Sequence, residues 1–148
     1  MNPNILPSNN AVLAGIIDPD AYAASTVTSG WVSLVTYEAI QAIVMAGTLG
    51  ASATLDAKLE QASDSGGTGA KDITGKSITQ LTQAGTDSDK QAIINCRSDE
   101  LDVANGFTHV RLSMTIGTAT SDAGGLILGH YARYQPATDL ASVDEVVS

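Results

Sequence analysis

The clearest alternation of apolar and polar residues runs through residues 108–117. Every second position is apolar, and the positions between them are polar. This two-residue period is typical of a β-strand with one buried and one solvent-exposed face, whereas a helix would space its apolar residues three and four positions apart. A turn-rich segment with Gly124 and Gly125 follows, and then an apolar run leads to Tyr134. The pattern predicts a long β-hairpin over residues 107–134, with its apolar face covered by the rest of the chain.

Shorter strands are predicted before this hairpin. β-Branched and aromatic residues favour strands at 22–28 and 31–36, and isoleucines favour two more around 73–81 and 90–97. Residues 54–61 alternate strictly, because Leu55 and Leu59 point one way while the charged residues between them point the other.

Residues 38–46 are compatible with two structures. Glu38, Ala39 and Gln41 favour a helix by propensity. Gly47 soon ends the segment, and the short connector at 48–52 would join it cheaply to 54–61 as a neighbouring antiparallel strand. We therefore expect a central strand that is covered on both faces, with a helix as the alternative.

Regular turns between alternating segments predict an all-β fold, an antiparallel β-sandwich that is jelly-roll-like, with an extended N-terminal arm and a C-terminal tail. The expected organisation is an arm at 1–20, the sandwich at 21–136 and an acidic tail at 137–148. The predicted core comprises Leu55, Leu59, Ile93, Val110, Leu112, Met114, Leu126 and Leu128.

Both termini carry apolar residues in segments with little predicted structure. Prolines and asparagines disfavour regular structure before about residue 11. An isolated arm does not recover its ordering entropy, so its apolar residues need a surface on this chain or on a neighbour. The candidate partner-binding residues are Val12, Leu13, Ile16 and Ile17 in the arm and Val143, Val146 and Val147 in the tail.

Charge and composition exclude several functions. The 148 residues suit one domain, and the formal charge of −9 with scattered cations argues against binding nucleic acid. No run approaches the roughly 18 apolar residues of a membrane-spanning helix, and the N-terminus does not resemble a signal peptide. We therefore expect no membrane partner, and we expect the protein to act where it is synthesised. A low charged fraction of 16% suits a surface that packs against other proteins.

The motifs of catalysis are missing from the sequence. His109 and His130 would face each other across the predicted hairpin, most simply as a solvated pair. The glycines of 63–69 lack the Lys-Ser/Thr pair and the helix of a phosphate-binding loop. The single cysteine, Cys96, is expected to be a small core residue. These observations predict no catalytic residue, no metal, no cofactor and no enzyme activity.

Four stretches together resemble a family of tailed-bacteriophage capsid decoration (cement) proteins. The first is residues 31–46, which include Tyr37-Glu38, and the second is residues 59–73, which begin with Leu-Glu-Gln-Ala-Ser-Asp-Ser-Gly. The third is residues 107–116, which contain His-Val-Arg-Leu. The fourth is residues 123–133, which contain Leu-Gly-His-Tyr-Ala-Arg and are followed by Pro136. The resemblance covers about residues 31–136, although residues 37–46 contain fewer β-branched residues than the corresponding strand of the family.

The resemblance implies a structural virion protein that binds the major capsid protein lattice on the capsid surface after synthesis in the host cytoplasm. A homotrimer at a capsid symmetry axis would gain avidity from repeated weak contacts. Two alternatives are a phage head–tail or tail component and a carbohydrate- or cell-surface-binding β-sandwich module. The second alternative requires exposed aromatic residues, of which this chain has few, since aromatics make up 4% of its residues.

Overall fold

The computed structural model describes residues 4–147, so residues 1–3 of the predicted arm and Ser148 of the predicted tail lie outside the described part of the chain. A four-residue helical turn, α1 (Pro7–Asn10), precedes the first strand, and 3-10 turns occupy Ser98–Glu100 and Val103–Asn105. The strands are β1 (Ala11–Tyr22), β2 (Ser25–Thr28), β3 (Val32–Ser33), β4 (Tyr37–Ala46), β5 (Thr54–Ala62), β6 (Lys71–Ser77), β7 (Leu81–Thr82), β8 (Gln91–Arg97), β9 (His109–Gly117) and β10 (Ser121–Ala132).

The strands form two antiparallel sheets that pack face to face. Sheet A has the order β1-β10-β4-β8, and sheet B has the order β2-β9-β5-β6, with β3 beside β9 and β7 beside β5. When the two-residue strands β3 and β7 are left out, eight of these strands remain. Numbered from one to eight along the chain, they have the order 1-8-3-6 in sheet A and 2-7-4-5 in sheet B. This order is the jelly-roll arrangement of two Greek keys, which confirms the predicted fold class.

The predicted hairpin over 107–134 is wrong, because its two strands lie in different sheets. β9 pairs with β2, β3 and β5 in sheet B, whereas β10 pairs with β1 and β4 in sheet A. The connector at 48–52 likewise crosses from β4 in sheet A to β5 in sheet B, so these strands are not neighbours. In a jelly roll most successive strands alternate between the sheets, and a short connector can cross the sandwich as easily as it can turn within one sheet.

The core lies between the sheets and contains most of the residues predicted for it. Leu55, Leu59, Val110, Leu112 and Met114 are fully buried there. The prediction that Ile93, Leu126 and Leu128 belong to the core is wrong. They lie on the outer face of sheet A, where Ile93 is 58% exposed. Their neighbours Ile94 and Ile127 point inward instead, since side chains alternate along a strand.

The ambiguous segment 38–46 belongs to strand β4, as predicted over the helical alternative. It is central in sheet A, between β10 and β8. Ile40, Ala42, Val44 and Ala46 point into the core, while Ile43 and Met45 point away from it. Within residues 4–147, the chain covers the inner face of this strand but not its outer face. The prediction that both faces are covered is therefore correct for the inner face only.

The boundary of the N-terminal arm also needs correction. Residues 11–20, assigned to the arm from the sequence, belong to β1 and pair with β10 along sheet A. Val12 and Ile17 are buried in the core, which explains why this apolar stretch is ordered within the sandwich. Among the described helical segments, none is long and apolar enough to cross a membrane.

Candidate interaction surface

The outer face of sheet B is polar, and most of its charged side chains form ion pairs within the chain. The Arg111 Nε donates to Glu60 Oε2 at 2.7 Å, and the Lys58 Nζ donates to Asp72 Oδ1 at 2.7 Å. The Arg111 guanidinium also lies 4.5 Å from the centre of the Trp31 ring. These contacts pair four of the charged groups of the face, and the Gln80 Nε2 donates to Asp56 Oδ2 at 2.7 Å.

The outer face of sheet A is apolar in contrast. The pairing register places Ile16 opposite Leu126, Leu126 opposite Ile43, and Ile43 opposite Ile93. One aliphatic row therefore crosses all four strands of the sheet. Leu13 and Leu128 form a second pair beside this row, and Met45 is 50% exposed next to it. We call these seven residues the apolar outer face: Leu13, Ile16, Ile43, Met45, Ile93, Leu126 and Leu128.

The local sequence explains why this face is apolar. Residues 43–45, 93–94 and 126–128 are runs of consecutive apolar residues. Because strand side chains alternate, each run directs at least one apolar side chain away from the core. Near-continuous apolar runs are typical of strands that are covered on both faces, and in the described part of this chain no second layer packs on the outside of sheet A. The composition of these strands thus leaves an apolar surface on the outside of sheet A.

A groove lies at one end of the apolar outer face. It has a volume of about 610 Å³, and its apolar lining includes Leu13, Ile16, Pro19, Met45 and Leu126. The groove forms where β1 departs from regular pairing, at the register shift between Ile17 and Asp20. Gly124 on β10 permits this departure, because a Cβ there would lie 3.0 Å from the Pro19 Cα.

Carboxylates surround this groove. Asp18, Asp20 and Asp122 are part of its lining and are exposed to solvent. Burial raises the pKa of Tyr22, and the negative charges of Asp20 and Asp18 raise that pKa further. The groove therefore combines apolar side chains with a negative rim.

The structure separates the partner-binding residues that the sequence predicted. Val12 and Ile17 are buried in this chain's own core, whereas Leu13 and Ile16 lie on the apolar outer face beside the groove. In the tail, Val143 is half-buried, while Val146 and Val147 are 51% and 85% exposed. Sequence reasoning missed Met45 and Ile43 as surface residues, and it missed Ile93, Leu126 and Leu128 by assigning them to the core. The signal that could have found them is the consecutive apolar runs.

The C-terminal tail docks on β1 before it reaches those exposed valines. The Leu13 N donates to Asp139 Oδ1 at 2.8 Å, and the Leu140 N donates to the Leu13 carbonyl at 3.0 Å. These bonds satisfy the outward backbone groups of an edge strand.

The two histidines and the carboxylates of residues 99–102 do not converge on one site. His109 is on β9 in sheet B and His130 is on β10 in sheet A, so the expected cross-strand pair does not form. Asp99, Glu100 and Asp102 each pair with a different cation, Arg97, Lys76 and Lys71. Within residues 4–147, no group of three His, Cys, Asp or Glu residues could hold a metal ion. Cys96 is buried as predicted, and burial raises its pKa to about 11.

Comparisons with known proteins give only distant likenesses in fold. Neither family models nor curated proteins match the chain. A chain in the structure of infectious bursal disease virus Gt strain aligns with a TM-score of 0.46 and 12% identity, covering 94% of this chain and 39% of that chain. For the Gx strain the TM-score is 0.44 and the identity 13%, with 93% and 38% covered. This chain thus spans about two-fifths of the length of the chains it matches, and at this similarity they do not indicate what it binds.

Proposed function

We propose that this chain is a structural virion protein that decorates and stabilises the capsid of a tailed bacteriophage by binding the lattice of the major capsid protein. The observation that carries the proposal is the apolar outer face of sheet A. In the proposed complex this face is the one that the capsid covers, and the paired, polar outer face of sheet B points to solvent. Residues 31–136, which resemble the decoration family, contain Ile43, Met45, Ile93, Leu126 and Leu128 of this face.

The physical chemistry of the face supports a binding role. A contiguous apolar surface on one side of a sheet is costly to leave in water and is typical of protein interaction sites. Binding a repeating lattice requires area and complementarity but no reaction, which agrees with the proposal that the protein is not an enzyme and uses no cofactor. As a homotrimer on the capsid, the chain would present three such faces together, and avidity would strengthen weak individual contacts.

One feature disfavours a carbohydrate-binding module. The lining of the groove contains aliphatic residues, glycines and aspartates, but no aromatic side chain on which a sugar ring could stack. We therefore retain the capsid-binding proposal.

A sedimentation assay with undecorated phage heads tests the proposal. Purified chain is mixed with heads, and the fraction that sediments with them is measured over a range of concentrations. We expect the Met45→Gln/Ile93→Gln variant to bind at least about tenfold more weakly, because apolar contacts near the centre of an interface dominate its affinity.

The matched control is the Val35→Gln/Val103→Gln variant. Met45 and Ile93 are 50% and 58% exposed, and Val35 and Val103 are 54% and 60% exposed but lie outside the strands of sheet A. The control variant should bind as the unmodified chain does. Failure of the unmodified chain to bind heads would reject the proposed function, and equal binding by both variants would reject the apolar outer face as the capsid-binding surface.

The proposed trimer is tested separately by sedimentation equilibrium of the full chain. The expected particle contains three chains of 15.1 kDa each. A monomer at the concentrations that support head binding would contradict it.

A further inference from the structure

The groove between the β1 bulge and β10 is large enough to hold side chains of a bound segment. Its volume of about 610 Å³ lies within the usual range of binding pockets. Ile16 on β1 and Leu126 on β10 lie opposite each other on neighbouring strands, and Pro19 and Met45 extend the apolar lining. An extended aliphatic segment could place its side chains against these residues.

The negative charges around the groove have no cation from this chain beside them. In the described residues, Asp18, Asp20 and Asp122 form no ion pair, and the groove lining contains no lysine, arginine or histidine. The cations Lys58, Lys71, Lys76, Lys90, Arg97 and Arg111 are each paired with other carboxylates. The rim thus remains available for positive charges from outside the chain.

This charge distribution discriminates between possible occupants. The chain's own exposed valines, Val146 and Val147, directly follow Asp144 and Glu145, so placing this tail in the groove would bring like charges together. A second copy of the chain carries the same formal charge of −9. A foreign segment with positive residues would instead gain favourable electrostatic interactions at the rim.

We infer that the groove binds an aliphatic protein segment flanked by lysine or arginine residues. We assign that segment to the major capsid protein, and this assignment rests on the proposed function. The inference about the chemistry of the segment rests on the groove alone. The aliphatic residues of the segment lie against Ile16, Met45 and Leu126, and its flanking cations lie beside Asp18, Asp20 and Asp122. The Asp residues determine which partner is accepted, and the apolar lining supplies most of the affinity.

Titration of the isotope-labelled full chain with two synthetic peptides tests this inference by nuclear magnetic resonance. One probe is an aliphatic peptide with lysines at both ends, and the other is the same peptide with glutamates at both ends. We expect the lysine peptide to shift the amide resonances of Leu13, Ile16, Met45 and Leu126. The glutamate peptide should bind at least about tenfold more weakly, because three exposed carboxylates each contribute modestly.

Two charge variants distinguish the effect of the three rim carboxylates on peptide binding from the effect of the chain's net charge. In Asp18→Asn/Asp20→Asn/Asp122→Asn the preference for the lysine peptide should disappear, whereas Asp144→Asn/Glu145→Gln, which changes the tail only, should retain it. The Val35→Gln/Val103→Gln variant, whose substituted residues lie outside the strands of sheet A, should bind the lysine peptide normally. Equal binding of both peptides, resonance shifts outside the groove, or no shifts would overturn the inference.

Phage heads distinguish a failure of this inference from a failure of the proposed function. If the unmodified chain binds heads and the triple Asn variant binds them equally well, the assignment of the groove-bound segment to the major capsid protein fails while the capsid function stands. If the lysine peptide occupies the groove but the unmodified chain does not bind heads, the capsid function fails and the groove inference stands.

Discussion

Leu112 and Ile93 are aliphatic residues in neighbouring parts of the sequence, yet they occupy opposite environments. Leu112 is 0% exposed in the core and Ile93 is 58% exposed on the apolar outer face. The sequence predicts both in the core, because hydrophobicity alone does not determine which face of a strand points into the core. Their contribution to the stability of the isolated chain should therefore differ.

Alanine substitution at these two residues measures the difference. We expect Leu112→Ala to lower the free energy of unfolding by about 2–5 kcal/mol, since it removes buried methyl groups and leaves a cavity. Ile93→Ala should change it by no more than about 0.5 kcal/mol, as is typical of surface positions. Urea denaturation of the two variants provides the measurement, and similar losses for both would contradict the placement of Ile93 outside the core.

Cys96 gives a second test at the scale of a single residue. Burial raises the pKa of its thiol from 9.0 to about 11, so thiolate is scarce in the folded chain at pH 8. A chromogenic disulfide reagent should react with the folded chain at least about a hundredfold more slowly than with the urea-unfolded chain. Rapid labelling under native conditions would show that the thiol is accessible.

The same shift predicts how stability depends on pH. The folded chain holds the thiol proton more tightly than the unfolded chain does, because its pKa is higher in the folded state. This stabilising contribution is fully present below pH 9.0 and is lost as the pH rises through about 11. Replacing Cys96 by Ala should flatten the dependence in this window, measured by urea unfolding at a series of pH values.

At the scale of elements, strand β1 joins the terminal segments to the sandwich. It pairs with β10 on one side, and residues 139 and 140 of the tail bond to Leu13 on the other. Deletion of residues 1–17 would remove Val12 and Ile17 from the core and expose the edge of β10.

Two N-terminal deletions test the role of β1. Removal of residues 1–10 should preserve cooperative unfolding, because α1 contains no buried residue. Removal of residues 1–17 should abolish cooperative unfolding or cause aggregation through the exposed strand edge. Thermal unfolding followed by circular dichroism, with light scattering for aggregation, compares the two. A cooperative transition in the shorter chain would show that the remaining sheet folds without the first part of β1.

For the whole molecule, the main feature is an acidic chain with two unlike outer faces. The formal charge is −9, and the acidic groove opens on the same face as the aliphatic row. Attachment through this face would therefore combine apolar burial, which is insensitive to moderate salt, with electrostatic attraction, which salt screens.

Salt should weaken the proposed attachment to phage heads only in part. Raising the ionic strength from about 0.05 M to about 0.5 M shortens the screening length and should reduce the bound fraction without eliminating it. Sedimentation of chain and heads at a series of NaCl concentrations provides the measurement. The triple Asn variant of the groove should depend less on salt, and a steeper dependence in that variant would contradict attraction at the rim.

The sequence by itself determined the fold class and the orientation of most side chains in β5 and β9. Thr54 to Gln61 and His109 to Ile116 alternate strictly, so the steric period of an extended chain leaves one choice of buried face. The tertiary structure alone decided which strands are neighbours, since alternation records which face is buried and not which strand pairs beside it. It also decided which residues of β4, β8 and β10 point outward. In a run of consecutive apolar residues, either face of the strand would bury hydrophobic side chains if it pointed inward, so the sequence does not select one. Only the position of the second sheet selected Val44, Ile94 and Ile127 for the core and left Met45, Ile93 and Leu126 outside.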